Sequence, residues 1–443
     1  MDYKQEIKEC SCGRRHYCPI EGIFIGRNVL ADIPHIVNKY KHILVVCDEN
    51  TKKACADKVL DILGNRYSRV ITKVLNSGSE GVVIPDEKSI HAIQNVMPDS
   101  CDVIIGVGSG VINDLCKYVS FVAKIPYMIV ATAPSMDGYA SVGSALILKG
   151  MKVTVNTHVP RWIIGDTDVL SKAPLDMIRA GAGDIIGKLS CLNDWKLSHL
   201  INGEYYCEKI ANIVSEEVRK TVEHADLFFT RDPLAVQNLM ESLIRVGIAM
   251  AYVGNSRPAS GSEHHLAHFF EITGILDHSP YLSHGIDVAY GTVITSNLRT
   301  RLAKMDPASF VRSFVPENSK KQWEKSIEEV FGSLSASVIS LQDQSGLYQK
   351  DRYGKICSQW KDIQKILNEV PDGITVLKIL KKMGFQSEEF TKLYGSEKIR
   401  KAVEFAKDLK DRYSLLWLLN DVGMLHTIAY EGCVFNGFSD GRW

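Results

Sequence analysis

The sequence predicts two domains: an α/β domain with a parallel β-sheet over residues 1–172, and an all-α domain over residues 173–443. Three observations support this fold class. The chain has 443 residues, more than one hydrophobic core usually serves. Strand-like and helix-like patterns alternate in the first third, which is typical of parallel sheets covered by helices. Beyond about Ser171, helical patterns follow one another without a convincing strand.

The α/β alternation begins with residues 42–50, HILVVCDEN. This short apolar run ends in polar turn residues and therefore predicts a buried strand. Later elements are predicted in the same way: strands at 69–75, 101–110, 126–135 and 162–170, helices at 51–64, 87–97 and 111–123, and a hairpin over 142–155 that turns at Lys149-Gly150.

The second domain is predicted to begin near Pro174, since proline favours the first turn of a helix. The periodicity predicts helices at 175–201, 206–229, 233–253, 262–273, 284–305, 321–342, 357–368, 373–383, 396–408 and 411–424. We find no apolar stretch that approaches the ~20 residues needed to span a bilayer.

Composition argues against some classes of protein, such as nucleic-acid-binding and membrane-surface proteins. Lys+Arg and Asp+Glu both number 52, so no global field favours nucleic acid or an anionic membrane. The eleven cysteines are scattered, and the N-terminus is too polar for a signal peptide. These features favour a reducing cytoplasm.

A glycine loop, Gly106-Val107-Gly108-Ser109-Gly110, follows one predicted strand and precedes a helix. Amide groups at a helix N-terminus favour a phosphate, and glycines allow close approach. The spacing differs from the usual G-x-G-x-x-G, so a phosphate cradle and an ordinary strand–helix turn remain alternatives.

Two further segments end predicted strands. Asp48 stands where an acid accepts hydrogen bonds from the ribose of an adenine dinucleotide, which would favour NAD over NADP; a helix N-cap is the alternative. The segment from Thr132 through Ser135 and Asp137 to Gly138 forms either a plain turn or one wall of a ligand site, and Ser141 follows four residues after Asp137.

Three histidines suggest a metal centre. His264 and His268 are four residues apart and share one face of a predicted helix, and His284 follows sixteen residues later. With the carboxylate of Asp184 they are suited to hold a divalent metal and leave a position open. The alternatives are buried structural histidines and an i,i+4 salt bridge between Asp184 and Lys188.

The N-terminal segment Cys10-x-Cys12-Gly13-x-x-His16-x-Cys18 resembles a metal knuckle. Its C-x-C spacing differs from the usual C-x-x-C of zinc sites. We therefore expect reduced structural or surface cysteines here rather than a metal site.

Five motifs in order resemble a known family: GVGSGVINDLCK, TAPSMDGYAS, GAGDIIGK, RPASGSEHHLAH and SHGIDVAYGT. They are similar to the sn-glycerol-1-phosphate dehydrogenases, within the iron-containing alcohol dehydrogenase, glycerol dehydrogenase and dehydroquinate synthase-like superfamily. The resemblance covers roughly residues 20–305. It implies the dehydroquinate synthase-like fold with its site in the cleft between domains. It also implies NAD(P)H-dependent reduction of dihydroxyacetone phosphate to sn-glycerol 1-phosphate, and its reverse.

The resemblance also assigns residues. It implies a divalent metal (zinc, nickel or iron) held by Asp184, His264 and His284, with His268 and Asp137 as the histidine and the carboxylate that contact substrate. It places the cofactor, NAD or NADP, at Gly108 to Val111, Thr132, Ser135 and Ser141. The sequence around the motifs adds Lys188 and Arg257 as candidates for the substrate phosphate.

Two other functions remain open at this point. One is a glycerol or other polyol dehydrogenase on the same scaffold, and the other is an idle metal- or nucleotide-binding protein. A lyase of the dehydroquinate synthase type would need more Lys and Arg near the metal motif than this chain has. We expect a homodimer located in the cytoplasm. Its substrate is expected to be a phosphorylated triose, and we expect neither nucleic-acid binding nor a membrane span.

Overall fold

A computed structural model of the chain describes residues 3–4, 6–64, 69–78, 81–149, 151–313, 317–435 and 437–438. Contacts divide the chain into two compact units. The sheet unit comprises residues 1–185 and 219–256, and the helical unit comprises residues 186–218 and 257–443. The sequence predicted a single boundary at 172/173, where the type of secondary structure changes. The units follow packing instead, so one helical segment returns to the sheet unit.

The strands are short and lie in the first 166 residues. In chain order they are β1 (Glu6–Ile7), β2 (His16–Tyr17), β3 (Gly22–Gly26), β4 (His42–Asp48), β5 (Arg69–Leu75), β6 (Val103–Gly108), β7 (Tyr127–Ala131), β8 (Gly143–Leu148), β9 (Met151–Asn156) and β10 (Trp162–Asp166). Six of them form one sheet in the order β3-β10-β7-β6-β4-β5, and every pairing in it is parallel. The predicted parallel sheet is confirmed.

Two strand pairs lie outside this sheet. β8 and β9 form the predicted antiparallel hairpin. Lys149 at its turn has a φ of 52°, and Gly150 lies outside the described residues. β1 and β2 form a second small hairpin near the N-terminus, which the sequence did not predict.

β3 was also missed. Its five residues, GIFIG, are bounded by glycines and precede the alternating pattern. The strand lies at the sheet edge and pairs with β10, about 140 residues later in the chain. Only that long-range pairing makes the segment a strand.

The helices are named in chain order. They are α1 (Ile33–Ile36), α2 (Glu49–Thr51), α3 (Asp57–Leu63), α4 (Glu87–Gln94), α5 (Gly110–Ala123), α6 (Thr167–Leu170), α7 (Leu175–Asn202), α8 (Glu208–Glu223), α9 (Pro233–Val253), α10 (Ser262–Leu276), α11 (His284–Ala303), α12 (Glu317–Phe331), α13 (Ser335–Ser345), α14 (Tyr353–Ser358), α15 (Trp360–Leu367), α16 (Gly373–Lys382), α17 (Ser387–Phe405), α18 (Leu415–Asp421) and α19 (Leu425–Tyr430). Among the described residues no strand follows Asp166, as predicted for the second domain.

Some helix bounds differ from those the periodicity predicted. The helix expected at 321–342 is two helices, because Gly332 takes a φ of 48° between them. The helix expected at 51–64 contains a π-helical stretch at Lys52–Ala56. The predicted strand 162–170 ends at Asp166, whose side chain accepts a hydrogen bond from the amide of Asp168 and caps α6.

α9 is the one described helix that passes for a membrane span by length and composition, with a mean hydropathy of 1.2. The sequence pattern did not single it out. Of its most apolar 18-residue window, 67% is buried inside the protein, as expected of a core helix in the sheet unit.

The core of the helical unit is rich in aromatic rings. Phe270 stacks on Tyr394 with ring centroids 4.2 Å apart, and Phe390 contacts both rings edge-on. α10 and α11 cross closely at Gly291, where an added Cβ would lie 2.7 Å from the carbonyl oxygen of Glu263. These contacts position the two helices that carry the histidines.

Candidate cofactor cradle and metal centre

The glycine loop lies where the sequence placed it, between β6 and the N-terminus of α5. Ser109 is the N-cap residue, and Gly110 and Val111 open the helix. A 14-residue helix that begins at the carboxyl edge of a parallel sheet presents free amide groups to an anion. The arrangement fits the phosphates of a dinucleotide.

Two glycines of the loop are required by packing. An added Cβ at Gly108 would lie 2.5 Å from Cγ1 of Ile112, and one at Gly106 would lie 3.0 Å from Sγ of Cys116. The contact at Gly108 is closer than Cβ atoms come in proteins, and the one at Gly106 would require Cys116 to shift by a few tenths of an ångström. The glycines let α5 pack closely against β6, so the helix N-terminus stays at the sheet edge.

Asp48 ends β4 and caps the following helix. Its carboxylate accepts a hydrogen bond from the amide of Thr51 at 2.7 Å, and the Thr51 hydroxyl accepts one from the Asp48 amide at 2.9 Å. This reciprocal pair is the N-cap alternative that the sequence allowed. The contact of Asp48 with a ribose stays a prediction.

The segment from Thr132 to Ser141 lies beside the glycine loop. The Thr132 amide donates to the carbonyl of Gly108 at 3.1 Å, which ties the ends of β6 and β7 together. The Tyr139 hydroxyl donates to the Ala133 carbonyl at 2.6 Å, and the Ser141 hydroxyl donates to that of Gly138 at 3.1 Å. The segment is thus an ordered loop, not a loose turn.

Lys117 of α5 is hydrogen-bonded to this loop, a contact that the sequence did not predict. Its buried ammonium donates to the carbonyls of Gly138 at 2.9 Å and Gly143 at 2.8 Å, and lies 3.5 Å from a carboxylate oxygen of Asp114. Burial lowers the pKa of Lys117, and the charges of Asp114 and Asp137 partly oppose that shift. One lysine therefore links the cradle helix to the Asp137 loop.

Asp184, the predicted carboxylate ligand, is buried in α7. Its Oδ2 accepts a hydrogen bond from the backbone amide of Asp137 at 3.0 Å. One turn earlier, Gly181 admits the loop so closely that an added Cβ would lie 1.9 Å from the Pro134 carbonyl oxygen. The small residues of this helix therefore serve close packing of the Asp137 loop.

In the helical unit, the three predicted histidines come together. His264 and His268 lie on α10 with ring centroids 6.4 Å apart, and His284 opens α11 with its ring 5.1 Å from His264 and 5.3 Å from His268. The predicted shared helix face is confirmed by this cluster. Whether the cluster holds a metal stays a prediction.

Two buried glutamates orient these rings, and the sequence analysis missed both. Nδ1 of His264 lies 2.7 Å from Oε1 of Glu263. The two oxygens of Glu271 lie 3.1 Å from Nδ1 of His268 and 3.0 Å from Nδ1 of His284. A carboxylate accepts there, so each Nδ1 carries the hydrogen and each Nε2 keeps its lone pair.

Burial and neighbouring charges set the ionisation of this cluster. Burial raises the pKa of Glu263, but the hydrogen bond and charge of His264 outweigh it and leave the pKa below its usual value. Burial and the charge of Lys410 hold the pKa of His268 well below its usual value, although Glu271 opposes them. Carboxylate beside neutral imidazole is the protonation state that metal binding requires.

A buried ion pair fixes the start of α10. Asp194 and Arg299 meet at 2.6 Å, both almost fully buried. The other carboxylate oxygen of Asp194 accepts the amide of Ser262 at 2.6 Å, in the first turn of α10. Because breaking a buried pair costs about 3–5 kcal/mol, this contact holds the histidine helix in place.

A group of cations surrounds the neighbouring His265. Burial holds the pKa of His265 well below its usual value, and the charges of Arg412, Lys410 and Arg257 lower it further. Within the described part of the chain, neither ring nitrogen of His265 has a hydrogen-bond partner. Lys410 and Arg412 follow the helical segment 406–409 and carried no motif by which the sequence could identify them.

Both predicted phosphate cations are engaged with protein groups. Arg257 is buried, pairs with Glu204 through Nε at 2.7 Å and donates to the carbonyl of Tyr413 at 2.8 Å. Lys188 is fully buried and donates to the carbonyl of Ala259 at 2.9 Å. Their contact with substrate stays a prediction.

Comparison with known proteins points to one family. Residues 24–174 match the family model described as iron-containing alcohol dehydrogenase. A glycerol-1-phosphate dehydrogenase [NAD(P)+] of Geobacillus stearothermophilus is 34% identical over 290 residues, which cover 65% of this chain and 72% of that protein. A protein of the same name from Bacillus licheniformis is 29% identical over 434 residues, 97% of this chain and 96% of its own.

The fold also has a solved counterpart. The crystal structure of glycerol dehydrogenase from Schizosaccharomyces pombe matches with a TM-score of 0.61 and 16% identity, over 95% of this chain and 92% of that one. At this identity the likeness concerns the fold alone. It agrees with the predicted combination of a parallel α/β domain and a helical domain.

Proposed function

Because the chain belongs to the glycerol-1-phosphate dehydrogenase family, we propose that it catalyses the reversible, NAD(P)H-dependent reduction of dihydroxyacetone phosphate to sn-glycerol 1-phosphate. The observation that carries this proposal beyond the family name is the cluster of three histidines, each oriented by a buried carboxylate. A dehydrogenase that uses a divalent metal needs such a set of imidazoles, each held at Nδ1 by a hydrogen-bond acceptor.

Asp184, His264 and His284 would hold the metal. Asp184 lies three residues before Gly187 on the continuous helix α7, and therefore near the same helix face. An added Cβ at Gly187 would lie 3.7 Å from Cε1 of His264, so α7 runs close to that ring. One carboxylate and two imidazoles suit zinc, nickel and iron(II) alike. When bound, the metal supplies Lewis-acid polarisation of the substrate carbonyl.

The chain's own residues would position the reactants. Amides at the start of α5 would bind the cofactor pyrophosphate, and Ser141, Thr132 and Ser135 would contact its remainder. Asp137 would hold a hydroxyl of the triose. His268, neutral and backed by Glu271, would carry the proton to or from the substrate oxygen.

The substrate phosphate would be held in the helical unit. Lys410 and Arg412 supply positive charge around the buried, unpartnered imidazole of His265, beside His268. Arg257 and Lys188 would add to this field from their fixed positions. Positive charge of this kind favours the phosphorylated triose over dihydroxyacetone.

The test is oxidation of NADH by the metal-reconstituted protein with dihydroxyacetone phosphate, with dihydroxyacetone run alongside and the chirality of the product determined. We expect turnover of the phosphate alone and the sn-1 product. Turnover of both ketones would instead support the polyol dehydrogenase. No turnover of either, with metal bound, would support an idle binding protein.

Cofactor preference, assembly and location are part of the same proposal. Asp48 favours NAD over NADP, which the ratio of the two KM values tests. We propose a homodimer, which light scattering in solution measures. A cytoplasmic location is supported by the ten cysteines whose side chains the structure describes, none of which forms a disulfide.

A further inference from the structure

The N-terminal cysteine segment folds into a compact turn. β1 and β2 pair antiparallel, with Ile7 opposite His16. Between them the amide of Gly13 donates to the carbonyl of Cys10 at 2.9 Å, and Gly13 takes a left-handed φ of 77°. Such a turn needs glycine. It brings both thiols of the C-x-C sequence back towards His16.

The three side chains meet at metal-binding spacing. Sγ of Cys12 lies 3.3 Å from Nε2 of His16, and the ligand atoms of Cys10, Cys12 and His16 all lie within 4.8 Å of one another. Around a tetrahedral zinc ion, with bonds of about 2.3 Å to sulfur and 2.0 Å to nitrogen, neighbouring ligand atoms stand roughly 3.5–3.8 Å apart. A small adjustment of these side chains would admit the ion.

The orientation of the His16 ring is fixed by a hydrogen bond at Nδ1. Its Nδ1 lies 3.1 Å from the backbone carbonyl of Tyr252 on α9, and its side chain is 1% exposed. A carbonyl only accepts, so Nδ1 carries the hydrogen and the lone pair of Nε2 points at the cysteines. Metal-binding histidines are held in this way by a carbonyl or carboxylate.

We propose that Cys10, Cys12 and His16 bind a structural zinc ion that fastens the N-terminal hairpin to α9. Two thiolates and one imidazole select zinc among the common divalent cations. The C-x-C spacing led us to expect ordinary reduced cysteines. The turn at Gly13 removes that objection, because it supplies the curvature that two intervening residues supply in a C-x-x-C loop.

A closed structural site needs one further ligand. Four of the other buried cysteines, Cys47, Cys55, Cys101 and Cys116, lie in or against the parallel sheet. Cys191 already contacts the carbonyls of Lys188 and Pro258. Cys18 and Cys207 are therefore the two thiols to substitute in the search for a fourth ligand.

The first experiment is cobalt substitution of the wild-type protein. The Asp184, His264 and His284 set contains no sulfur, so a thiolate-to-cobalt charge-transfer band in the near ultraviolet reports cobalt bound by cysteines and not cobalt bound by that set; loss of the band in Cys12→Ser would assign it to the N-terminal segment. We expect this band in proportion to one cobalt ion per chain. A fully cobalt-loaded protein without the band would overturn the proposal, whatever its dehydrogenase activity.

The second experiment measures zinc content in the His264→Ala background, where the proposed active-site metal is removed. We expect one zinc per chain in this variant and none after the further change Cys12→Ser. Cys357→Ser, a partly buried cysteine of the helical unit, is the matched control and should keep the zinc. Equal zinc in the Cys12→Ser and Cys357→Ser proteins would contradict the assignment, and so would a zinc-free His264→Ala protein.

Discussion

The two units present their proposed binding groups differently, one from the main chain and the other from side chains. The sheet unit offers main-chain amides at the start of α5, placed by glycines that let the helix approach the sheet. The helical unit offers side chains, three imidazoles held by two buried glutamates. A cradle of amides depends on backbone path, whereas an imidazole cluster depends on each side chain and its hydrogen-bond partner.

This difference predicts how each unit responds to substitution. A change in the cradle should matter only where it moves the backbone. A change in the histidine cluster should matter even when the backbone stays in place. Four substitutions test this contrast. Because a loss of activity alone does not show which of the two groups is damaged, each substitution is paired with a measurement of metal or cofactor binding.

The largest effect is expected from His264→Ala. Removal of this proposed ligand should abolish metal binding and lower kcat by about 10³-fold or more, because the Lewis acid would be lost while the fold survives. Metal analysis and steady-state rates measure this. His268→Ala is the comparison, since it should keep the metal and still lose turnover. Loss of metal from His268→Ala instead would make His268 a ligand.

Gly108→Ala should give the next largest effect. Its Cβ would collide with Ile112, and overpacking of this kind costs roughly 1–3 kcal/mol, which corresponds to a rise of about ten- to a hundred-fold in cofactor KM. Metal content should not change. The double variant Gly108→Ala/Ile112→Ala should recover part of the cofactor binding, and a failure to recover would show that the collision is not the cause.

Glu263→Gln tests the support of the cluster rather than a ligand. The amide keeps the shape but offers a weaker acceptor to Nδ1 of His264, and loss of such a partner typically lowers metal affinity by about 10–100-fold. Competition with a chelator measures the affinity. Glu217→Gln, a buried glutamate of α8, is the control and should leave metal affinity unchanged.

The smallest effect is expected from Ser109→Ala, although Ser109 lies inside the cradle. Its side chain makes no capping hydrogen bond, so its contribution comes from the main chain, which alanine retains. Cofactor KM should therefore change by less than about three-fold. A tenfold change would correspond to a loss of about 1.4 kcal/mol of binding free energy, more than we expect here. A large increase would show that the hydroxyl itself contacts the cofactor.

A related contrast, between local and long-range determinants, explains which features could be predicted from the sequence. Five of the six strands of the large sheet, the glycine loop and the shared face of His264 and His268 depend on patterns of a few neighbouring residues. All were predictable by period and spacing. The predicted helix bounds were wrong mainly where the backbone conformation of a single residue ends a helix, as that of Gly332 does between α12 and α13.

What the sequence missed depends on distant parts of the chain. β3 is a strand because β10 pairs with it. Glu271 lies between the fourth and fifth motifs, and its role appears only when α11 brings His284 to its second oxygen. Lys410 and Arg412 act on His265 from a segment about 145 residues later, and no local pattern marks them.

The contacts of Lys117 predict an order of substrate binding. Its ammonium joins the helix that would receive the cofactor to the carbonyls of the loop that carries Asp137. A shift of α5 on nucleotide binding would therefore be passed to that loop before a triose arrives. We expect compulsory-order kinetics with the nucleotide first, and random order in Lys117→Met, where product-inhibition patterns distinguish the two.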